Sequence, residues 1–318
     1  MTGMLDNGVQ FVAIDEDSAG QRIDNYLFRI LKGVPKSHIY RLLRRGEVRV
    51  NGGRAKPTRK LVGGDTLRLP PIRMGDLSEA SKPSYRLLEI IENSVIYEDD
   101  LMLVVNKPAG IAVHGGSGIA AGVIEALRVL RPEERHLELV HRLDRGTSGC
   151  LMIARRRSAL RTLQGWLREK QALTKFYNVI VHGQWLASRT EVALALQKNT
   201  LKSGERISRV VSDGKASLTR YRVLEAGAHL TLLEAQPVTG RTHQIRVHCA
   251  TCRCPVVGDE KYGNPVLDGL LSPPRMMLHA RRLALPSLTQ AGQQLVVEAV
   301  PDAQFTEFSR LINQQVKD

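Results

Sequence analysis

The chain has 318 residues and a formal net charge of +14 at pH 7, because 46 Lys and Arg outnumber 32 Asp and Glu. It has no apolar run of about 18 residues, which argues against a membrane span, and its start lacks the basic and apolar regions of a secretory signal. We therefore expect a cytoplasmic protein with no membrane partner and no disulfides. Excess positive charge suits a polyanionic partner, since each neutralised phosphate releases counterions.

The N-terminal part of the chain is predicted to hold a flexible arm, residues 1–19, and a compact unit, residues 20–71. Apolar residues at helical spacing predict a first helix over residues 23–31. Ser37 is a suitable N-cap for a second helix over residues 38–45. Short strands are expected to follow at residues 48–52 and 66–69.

Positive charge is concentrated in this compact unit. Between Arg29 and Lys60 there are eleven Lys or Arg and a single acidic residue, Glu47. Charge of one sign over so short a stretch predicts a nucleic-acid-binding surface; the alternative is an ordinary solvated helix face. The candidate binding residues are Lys36, Arg41, Arg44, Arg45 and Arg49.

Residues 72–84 are polar, rich in Ser and contain Gly and Pro, which predicts a linker. In the remainder, residues 85–318, many short strand-like runs alternate with few helix-like segments. This order is typical of an α+β domain with a mostly antiparallel sheet. The strand candidates are residues 102–105, 151–154, 177–181, 218–224, 230–235 and 295–299. The helix candidates are residues 121–130, 159–170 and 243–250.

Residues 141–149, His-Arg-Leu-Asp-Arg-Gly-Thr-Ser-Gly, place one carboxylate, Asp144, between Arg142 and Arg145. Nearby positive charge keeps a carboxylate ionised, and an ionised carboxylate on a loop beside a strand suits a nucleophile or general base. Taken alone, a surface ion pair at a turn explains the same pattern, because exposed ion pairs are common and seldom catalytic.

Four further segments carry residue types that chemistry uses. Residues 106–118 include Asn-Lys-Pro and a glycine-rich stretch with His114, residues 175–177 read Lys-Phe-Tyr, and residues 238–248 hold a glycine turn with two arginines and two histidines. A short apolar segment with a histidine follows at residues 277–280. Individually, Tyr177 is also explained as a strand aromatic and Arg246 as a surface arginine.

The cysteines raise the question of a metal. Cys249, Cys252 and Cys254 form a C-x-x-C-x-C pattern next to His248, and Cys150 lies in an apolar run. No second ligand pair stands at a zinc-like spacing. We therefore expect the cysteines to pack as small apolar side chains and expect no metal site.

Taken together and in this order, the motifs H-R-L-D-R-x-T-S-G, N-K-P-x-G-x-x-V-H, K-x-Y and G-R-T-H-Q-I-R-V-H resemble the pseudouridine synthases of the ribosomal large-subunit type. Residues 113–118, 122–125, 198–199 and 203–206 are similar to the C-type branch, which modifies large-subunit ribosomal RNA. Residues 20–71 resemble the alpha-L RNA-binding module of a small-subunit ribosomal protein. The resemblance implies an α+β pseudouridine-synthase fold over residues 85–318, with a mixed, mostly antiparallel sheet and flanking helices.

The resemblance also implies roles for individual residues in an isomerisation of uridine to pseudouridine that needs no cofactor. Asp144 matches the catalytic aspartate, Tyr177 the tyrosine that stacks on the base, and Arg246 the arginine paired with the aspartate. Leu278 and His114 are expected in the substrate pocket. Arg142 suits an RNA phosphate or extrusion of the base, which must leave its stack to be reached.

Several alternatives stay open at this point. A non-catalytic RNA-binding or ribosome-assembly factor is one rival, and a synthase acting on transfer RNA is another. The sequence leaves undecided whether Asp144 attacks the ribose, attacks the base or promotes departure of uracil. We expect a monomer in the cytoplasm whose partner is large-subunit ribosomal RNA.

Overall fold

The computed structural model describes residues 8–31, 34, 36–72, 83–116, 119–134, 136–169, 172–200 and 206–313. The chain divides into two compact units, an N-terminal unit, Met1–Lys82, and a C-terminal unit, Pro83–Asp318. Most of the expected linker, and Ser203 to Glu205 of the C-type pattern, lie outside the described residues. Over the described ranges, none of the helices combines the length and apolar character that crossing a membrane requires.

The N-terminal unit packs two helices against a small antiparallel sheet. Its elements are β1 (Gln10–Ala13), α1 (Ile23–Ile30), α2 (Lys36–Arg45), β2 (Arg49–Val50), β3 (Gly53–Arg54) and β4 (Thr66–Leu69). The strand order is β1-β4-β2-β3. The core lies between helices and sheet, where Ile23, Leu27, Ile39 and Leu67 are buried. The predicted helices and β4 are therefore present, with α2 buried on its apolar face.

Two expectations for this unit are wrong. Within the arm predicted over residues 1–19, Gln10–Ala13 form β1, which pairs with β4, and Ile14 is buried. The strand satisfies backbone groups at the edge of β4, an effect of long-range pairing that the short segment does not reveal. Ser37 is not the N-cap, because α2 already begins at Lys36 and Ser37 lies in its first turn.

The C-terminal unit is built around one large sheet. Its strands are β5 (Val95–Glu98), β6 (Met102–Lys107), β7 (Glu138–Leu139), β8 (Ser148–Ala154), β9 (Thr174–His182), β10 (Glu191–Thr200), β11 (Arg206–Val210), β12 (Lys215–Ala226), β13 (Leu230–Pro237), β14 (Leu278–Pro286) and β15 (Gln294–Glu298). Its helices are α3 (Tyr85–Glu92), α4 (Val123–Leu130), α5 (Arg157–Glu169), α6 (Gln244–Thr251), α7 (Pro265–Leu271) and α8 (Ala303–Ser309).

The sheet order is β11-β10-β12-β13-β9-β14-β8-β6-β5, with β15 beside β14 and β7 beside β8. The pair β14 and β8 is parallel and the other described pairs are antiparallel. The prediction of an α+β fold with a mixed, mostly antiparallel sheet is confirmed. Apolar side chains of β6, β8 and β9 are buried on both faces of this sheet, which fixes the central strands that carry the site.

Candidate active site

The Asp144 loop lies between β7 and β8 and turns tightly. The backbone N–H of Thr147 donates to the Asp144 carbonyl at 3.1 Å. Gly149 follows at φ +103°, and a Cβ there would collide with the backbone of Ala280 on β14. Glycine is required at this position, since it tolerates the positive φ and allows the close approach of the two strands. The loop is thereby anchored to the neighbouring strand.

The ion-pair partner of Asp144 comes from a distant part of the sequence. Nη1 of Arg246, on α6, donates to Oδ2 of Asp144 at 3.0 Å. The other side of the guanidinium fork binds Asp259, with Nε–Oδ2 at 2.7 Å and Nη2–Oδ1 at 2.6 Å. Burial works against the charge of Arg246, but the two carboxylates outweigh it and raise its pKa. One arginine therefore holds both aspartates.

Asp259 is a site residue that the sequence reasoning missed. Its side chain is fully buried, and its Oδ1 also accepts the backbone N–H groups of Lys261 and Tyr262 at 2.9 and 3.2 Å. Burial opposes ionisation, but the Arg246 guanidinium prevails and lowers the pKa of Asp259. Asp259 stands beside Glu260 between two glycines, and no feature of this short segment points to a partner on α6. Asp259 fixes the direction in which Arg246 reaches Asp144.

His243 stands on the other side of the carboxylate. Its Nε2 lies 3.7 Å from Oδ1 of Asp144, and its Nδ1 is hydrogen-bonded to the Tyr262 hydroxyl at 2.8 Å. That hydroxyl accepts the backbone N–H of Ser208 at 2.7 Å. Burial lowers the pKa of His243 to about 4, so the ring is neutral at pH 7. His243 therefore packs beside Asp144 without adding a second full charge.

A cleft of about 580 Å³ opens over Asp144. Tyr177, on β9, and Leu278, at the start of β14, both line it and are both largely buried. Burial and the nearby negative charge of Asp144 raise the pKa of the Tyr177 phenol, so its hydroxyl stays protonated. The structure thus brings Asp144, Tyr177, Arg246 and Leu278 into one cleft, as the sequence predicted.

Other predicted contacts differ. Of the flanking arginines, Arg145 turns away from Asp144, and its Nε donates to the Gly110 carbonyl at 2.8 Å. Arg142 lines the cleft and is exposed. His114 is exposed and is not among the residues that line this cleft, so its place in the substrate pocket stays a prediction. Its segment is held elsewhere, because the neighbouring Gly115 N–H donates to Glu125 of α4 at 2.9 Å.

Lys107, at the end of β6, supports the loop from below. Its side chain is fully buried, and its Nζ donates to the carbonyls of Pro108, Ile111 and Arg145 at 2.8, 2.9 and 3.2 Å. Burial lowers its pKa to about 7. These hydrogen bonds connect the Asn-Lys-Pro segment to the Asp144 loop. Lys107 therefore stabilises the backbone beneath the site and does not line the cleft.

The four cysteines are free thiols, and Cys150, Cys249 and Cys254 are buried. Burial raises the pKa of Cys150 to about 12. In the ranges that the structure describes, no three His, Cys, Asp or Glu side chains are grouped as metal ligands would be. His248 is also buried, with Nε2 against the Ser217 hydroxyl at 2.8 Å. His248 and Cys249 belong to α6 and Cys254 follows it, whereas Cys150 lies on β8 in a separate core cluster.

The nucleic-acid-binding candidates lie in the N-terminal unit and are all exposed. They are Lys36, Arg41, Arg44, Arg45 and Arg49. Arg41, Arg44 and Arg45 belong to α2, whose opposite face is buried through Leu42 and Leu43. The helix therefore presents its cations to solvent and its leucines to the core.

Comparison with known proteins gives consistent matches. Residues 101–251 match the RNA pseudouridylate synthase family, and residues 21–67 match the S4 domain. The ribosomal large subunit pseudouridine synthase C of Haemophilus influenzae is 51% identical over 281 residues, 87% of this chain and 87% of that protein. The protein of the same name from Escherichia coli K12 is 51% identical over 300 residues, 92% of this chain and 93% of that protein.

Two solved structures share the fold over most of this chain. Human RNA Pseudouridylate Synthase Domain Containing 4 is similar with a TM-score of 0.58 at 25% identity, covering 71% of this chain and 95% of that one. Human RNA Pseudouridylate Synthase Domain Containing 1 has a TM-score of 0.54 at 31% identity, covering 70% of this chain and 86% of that one.

Proposed function

This chain belongs to the RNA pseudouridylate synthase family, a family of isomerases, and we propose that its own substrates are uridines of large-subunit ribosomal RNA. The relatives that share about half of its residues over most of their length are named for that activity. The S4 domain and the charge of +14 support RNA as the partner.

The observation that carries the proposal is the arrangement around Asp144. Its carboxylate faces the cleft and is oriented by Arg246 at 3.0 Å, which Asp259 in turn fixes. A planar guanidinium that binds two carboxylates leaves each with a defined direction. We assign Asp144 as the catalytic carboxylate and Arg246 as the residue that positions it, because a preorganised group reacts without reorientation.

The reaction exchanges one bond for another within a single nucleotide. The bond between uracil N1 and ribose C1′ breaks, a bond between C5 and C1′ forms, and one proton leaves C5 while N1 gains one. An ionised Asp144 supplies the negative charge that the first step requires, whether it acts at the ribose or at the base.

Tyr177 and Leu278 shape the place of the extruded base. The ring of Tyr177 offers an aromatic face beside Asp144, and stacking on such a ring returns about 1–3 kcal/mol. This gain offsets the few kcal/mol that unstacking a base costs. We assign Tyr177 as the stacking residue and, through its protonated hydroxyl, as a group able to pass a proton.

We further propose that the N-terminal unit, about residues 20–71, recruits the RNA through α2, and that residues 85–318 form the catalytic domain. The exposed cations on α2 and the match to the S4 domain support the first assignment. Ribosomal RNA as substrate supports a cytoplasmic location.

Mapping pseudouridine in ribosomal RNA tests the proposal. Unmodified large-subunit ribosomal RNA, incubated with the purified protein and probed by carbodiimide labelling and primer extension, should gain stops at discrete uridines. Transfer RNA and small-subunit ribosomal RNA serve as controls. Stops confined to transfer RNA, or no stops in any of the three, would overturn the assignment.

A further inference from the structure

Lys175 is a cation of the cleft that the proposed chemistry does not use. It lies on β9, two residues before Tyr177, and lines the same cleft. Successive side chains of a strand point to opposite faces, so residues two apart share a face and stand about 7 Å apart along the strand. Between them, Phe176 faces away and packs against the guanidinium of Arg282, 4.1 Å from its ring centroid. The Lys175 ammonium therefore enters the cleft beside the place of the base.

The position of this ammonium is defined by the opposite wall. Nζ of Lys175 lies 3.9 Å from where a Cβ on Gly240 would stand. Gly240 belongs to the loop that leads from β13 to His243 and α6. The ammonium thus reaches from β9 to this loop.

The charge of Lys175 is not balanced within the protein. Its side chain is half-buried, and among the described residues no carboxylate or carbonyl forms a hydrogen bond or ion pair with Nζ. Burial lowers its pKa, which reflects the cost of removing an ammonium from water. The nearest cleft carboxylate, Asp144, is already paired with Arg246.

Further cations line the same cleft. Arg142, Arg168 and Arg241 are exposed, and Asp144, the one carboxylate of the described lining, is paired with Arg246. Such an excess of cations attracts an anion from solution, and RNA carries one phosphate for every nucleotide. Substrate backbone is therefore the partner that completes this set.

We propose that Lys175 binds an RNA backbone phosphate adjacent to the target uridine. The inference rests on the proposed function and deepens it, because it assigns the anion that holds the extruded nucleotide in register with Asp144. A phosphate carries a full charge throughout the reaction, whereas the uracil carbonyls are neutral when the base enters. The phosphate is also the moiety that an ammonium binds well, as a compact point charge on a flexible stem.

The test combines a protein variant with a modified RNA. A short RNA centred on a uridine that the parent enzyme modifies is made with a neutral methylphosphonate at each phosphate near that uridine in turn. Binding is measured with Asp144→Asn protein, so that no turnover occurs, with and without Lys175→Ala. Lys215→Ala, which removes an exposed cation outside the cleft, is the matched control.

We expect Lys175→Ala to weaken RNA binding by roughly ten- to a hundredfold, the range for a hydrogen bond to a charged group. The slope of log Kd against log salt should fall by about 0.7, the change for one phosphate contact on a single strand. A methylphosphonate at one position should weaken RNA binding by the protein that keeps Lys175, and it should leave RNA binding by the Lys175→Ala protein unchanged. Lys175→Arg should restore most of the affinity, and Lys215→Ala should not couple to that phosphate.

Three outcomes would overturn the proposal. They are an unchanged affinity and salt slope in Lys175→Ala, equal effects of every methylphosphonate on both proteins, or a loss of turnover without loss of binding, which would place Lys175 on the base. If the Lys175 variants unfold, the methylphosphonate scan with Lys175 intact still decides, because the absence of any phosphate whose neutralisation weakens binding would overturn the proposal. Failure of the parent enzyme to form pseudouridine would instead refute the proposed function.

Discussion

The two units of the chain use arginine in opposite ways. In the N-terminal unit, Arg41, Arg44 and Arg45 are exposed within one ten-residue helix. In the C-terminal unit, Arg246 is buried and joined to Asp144, which lies 102 residues away in the sequence. Exposed cations interact with solvent and ligand largely one by one, whereas a buried cation depends on carboxylates that the fold must bring to it. We therefore expect single substitutions of the exposed arginines to weaken RNA binding in small steps, and a single substitution around Arg246 to cause a large loss of catalysis.

The largest effect of a single substitution on stability is expected at Asp259. Asp259→Ala leaves the buried Arg246 with one partner instead of two, and breaking a buried ion pair costs about 3–5 kcal/mol. We expect a fall of that size in the free energy of unfolding, measured by urea denaturation. Glu191→Ala, which removes the exposed partner of Arg220, is the control and should cost under about 1 kcal/mol. Equal effects of the two changes would remove the distinction.

Arg246→Lys tests the geometry of the same centre while keeping its charge. An ammonium cannot reproduce the planar fork that binds Asp259 and Asp144 together. We expect pseudouridine formation to fall by roughly a hundred- to a thousandfold, as when one preorganised donor is lost. RNA affinity, measured by filter binding, should stay near that of the parent. A lysine variant with parental turnover would show that charge alone suffices.

Tyr177→Phe separates stacking from proton transfer. The variant keeps the aromatic ring in the cleft and removes the hydroxyl, whose pKa is raised by burial and by Asp144. We expect RNA to bind as before and single-turnover rates to fall by about a hundredfold, the lower range for loss of a general acid or base. If the rate is unchanged, Tyr177 acts as a stacking surface only.

The smallest effects are expected on α2. Replacing Arg41, Arg44 and Arg45 by Ala, singly and together, should weaken RNA binding in steps while leaving the rate at saturating RNA unchanged. The slope of log Kd against log salt should fall by roughly 2 to 3 in the triple variant, according to whether the contacts are to single or double strands. An unchanged slope would show that this helix face does not contact RNA.

Features that are encoded locally could be predicted from the sequence, whereas features that depend on distant parts of the chain could not. The helix face of α2 and the strand β4 are encoded within a few residues, so spacing and charge sign were enough to find them. The edge strand β1 was missed, because it exists through pairing with β4 and Phe11 is exposed. Long-range pairing is what a local pattern does not carry.

In the site, motif resemblance brought Asp144, Tyr177, Arg246 and Leu278 together, and the structure places them in one cleft. Local reasoning failed where neighbours in sequence were assumed to be neighbours in space. Arg145 flanks Asp144 in the chain yet binds the Gly110 carbonyl. Asp259 was overlooked, because nothing in its surroundings indicates an arginine partner 13 residues earlier. The ion pairs of Arg246 with Asp144 and Asp259 depend on how α6 packs against the Asp144 loop, and this packing is defined only by the three-dimensional fold.

The most direct test of the account is single-turnover pseudouridine formation by Asp144→Asn, with RNA affinity measured in parallel. The substitution keeps the shape of the side chain and its place beside Arg246, and it removes the negative charge. We predict product at the background of the uncatalysed control and an affinity for large-subunit ribosomal RNA close to that of the parent. Turnover at even about a tenth of the parental rate, less than 1.4 kcal/mol in activation free energy, would contradict the assignment of Asp144 as the catalytic carboxylate.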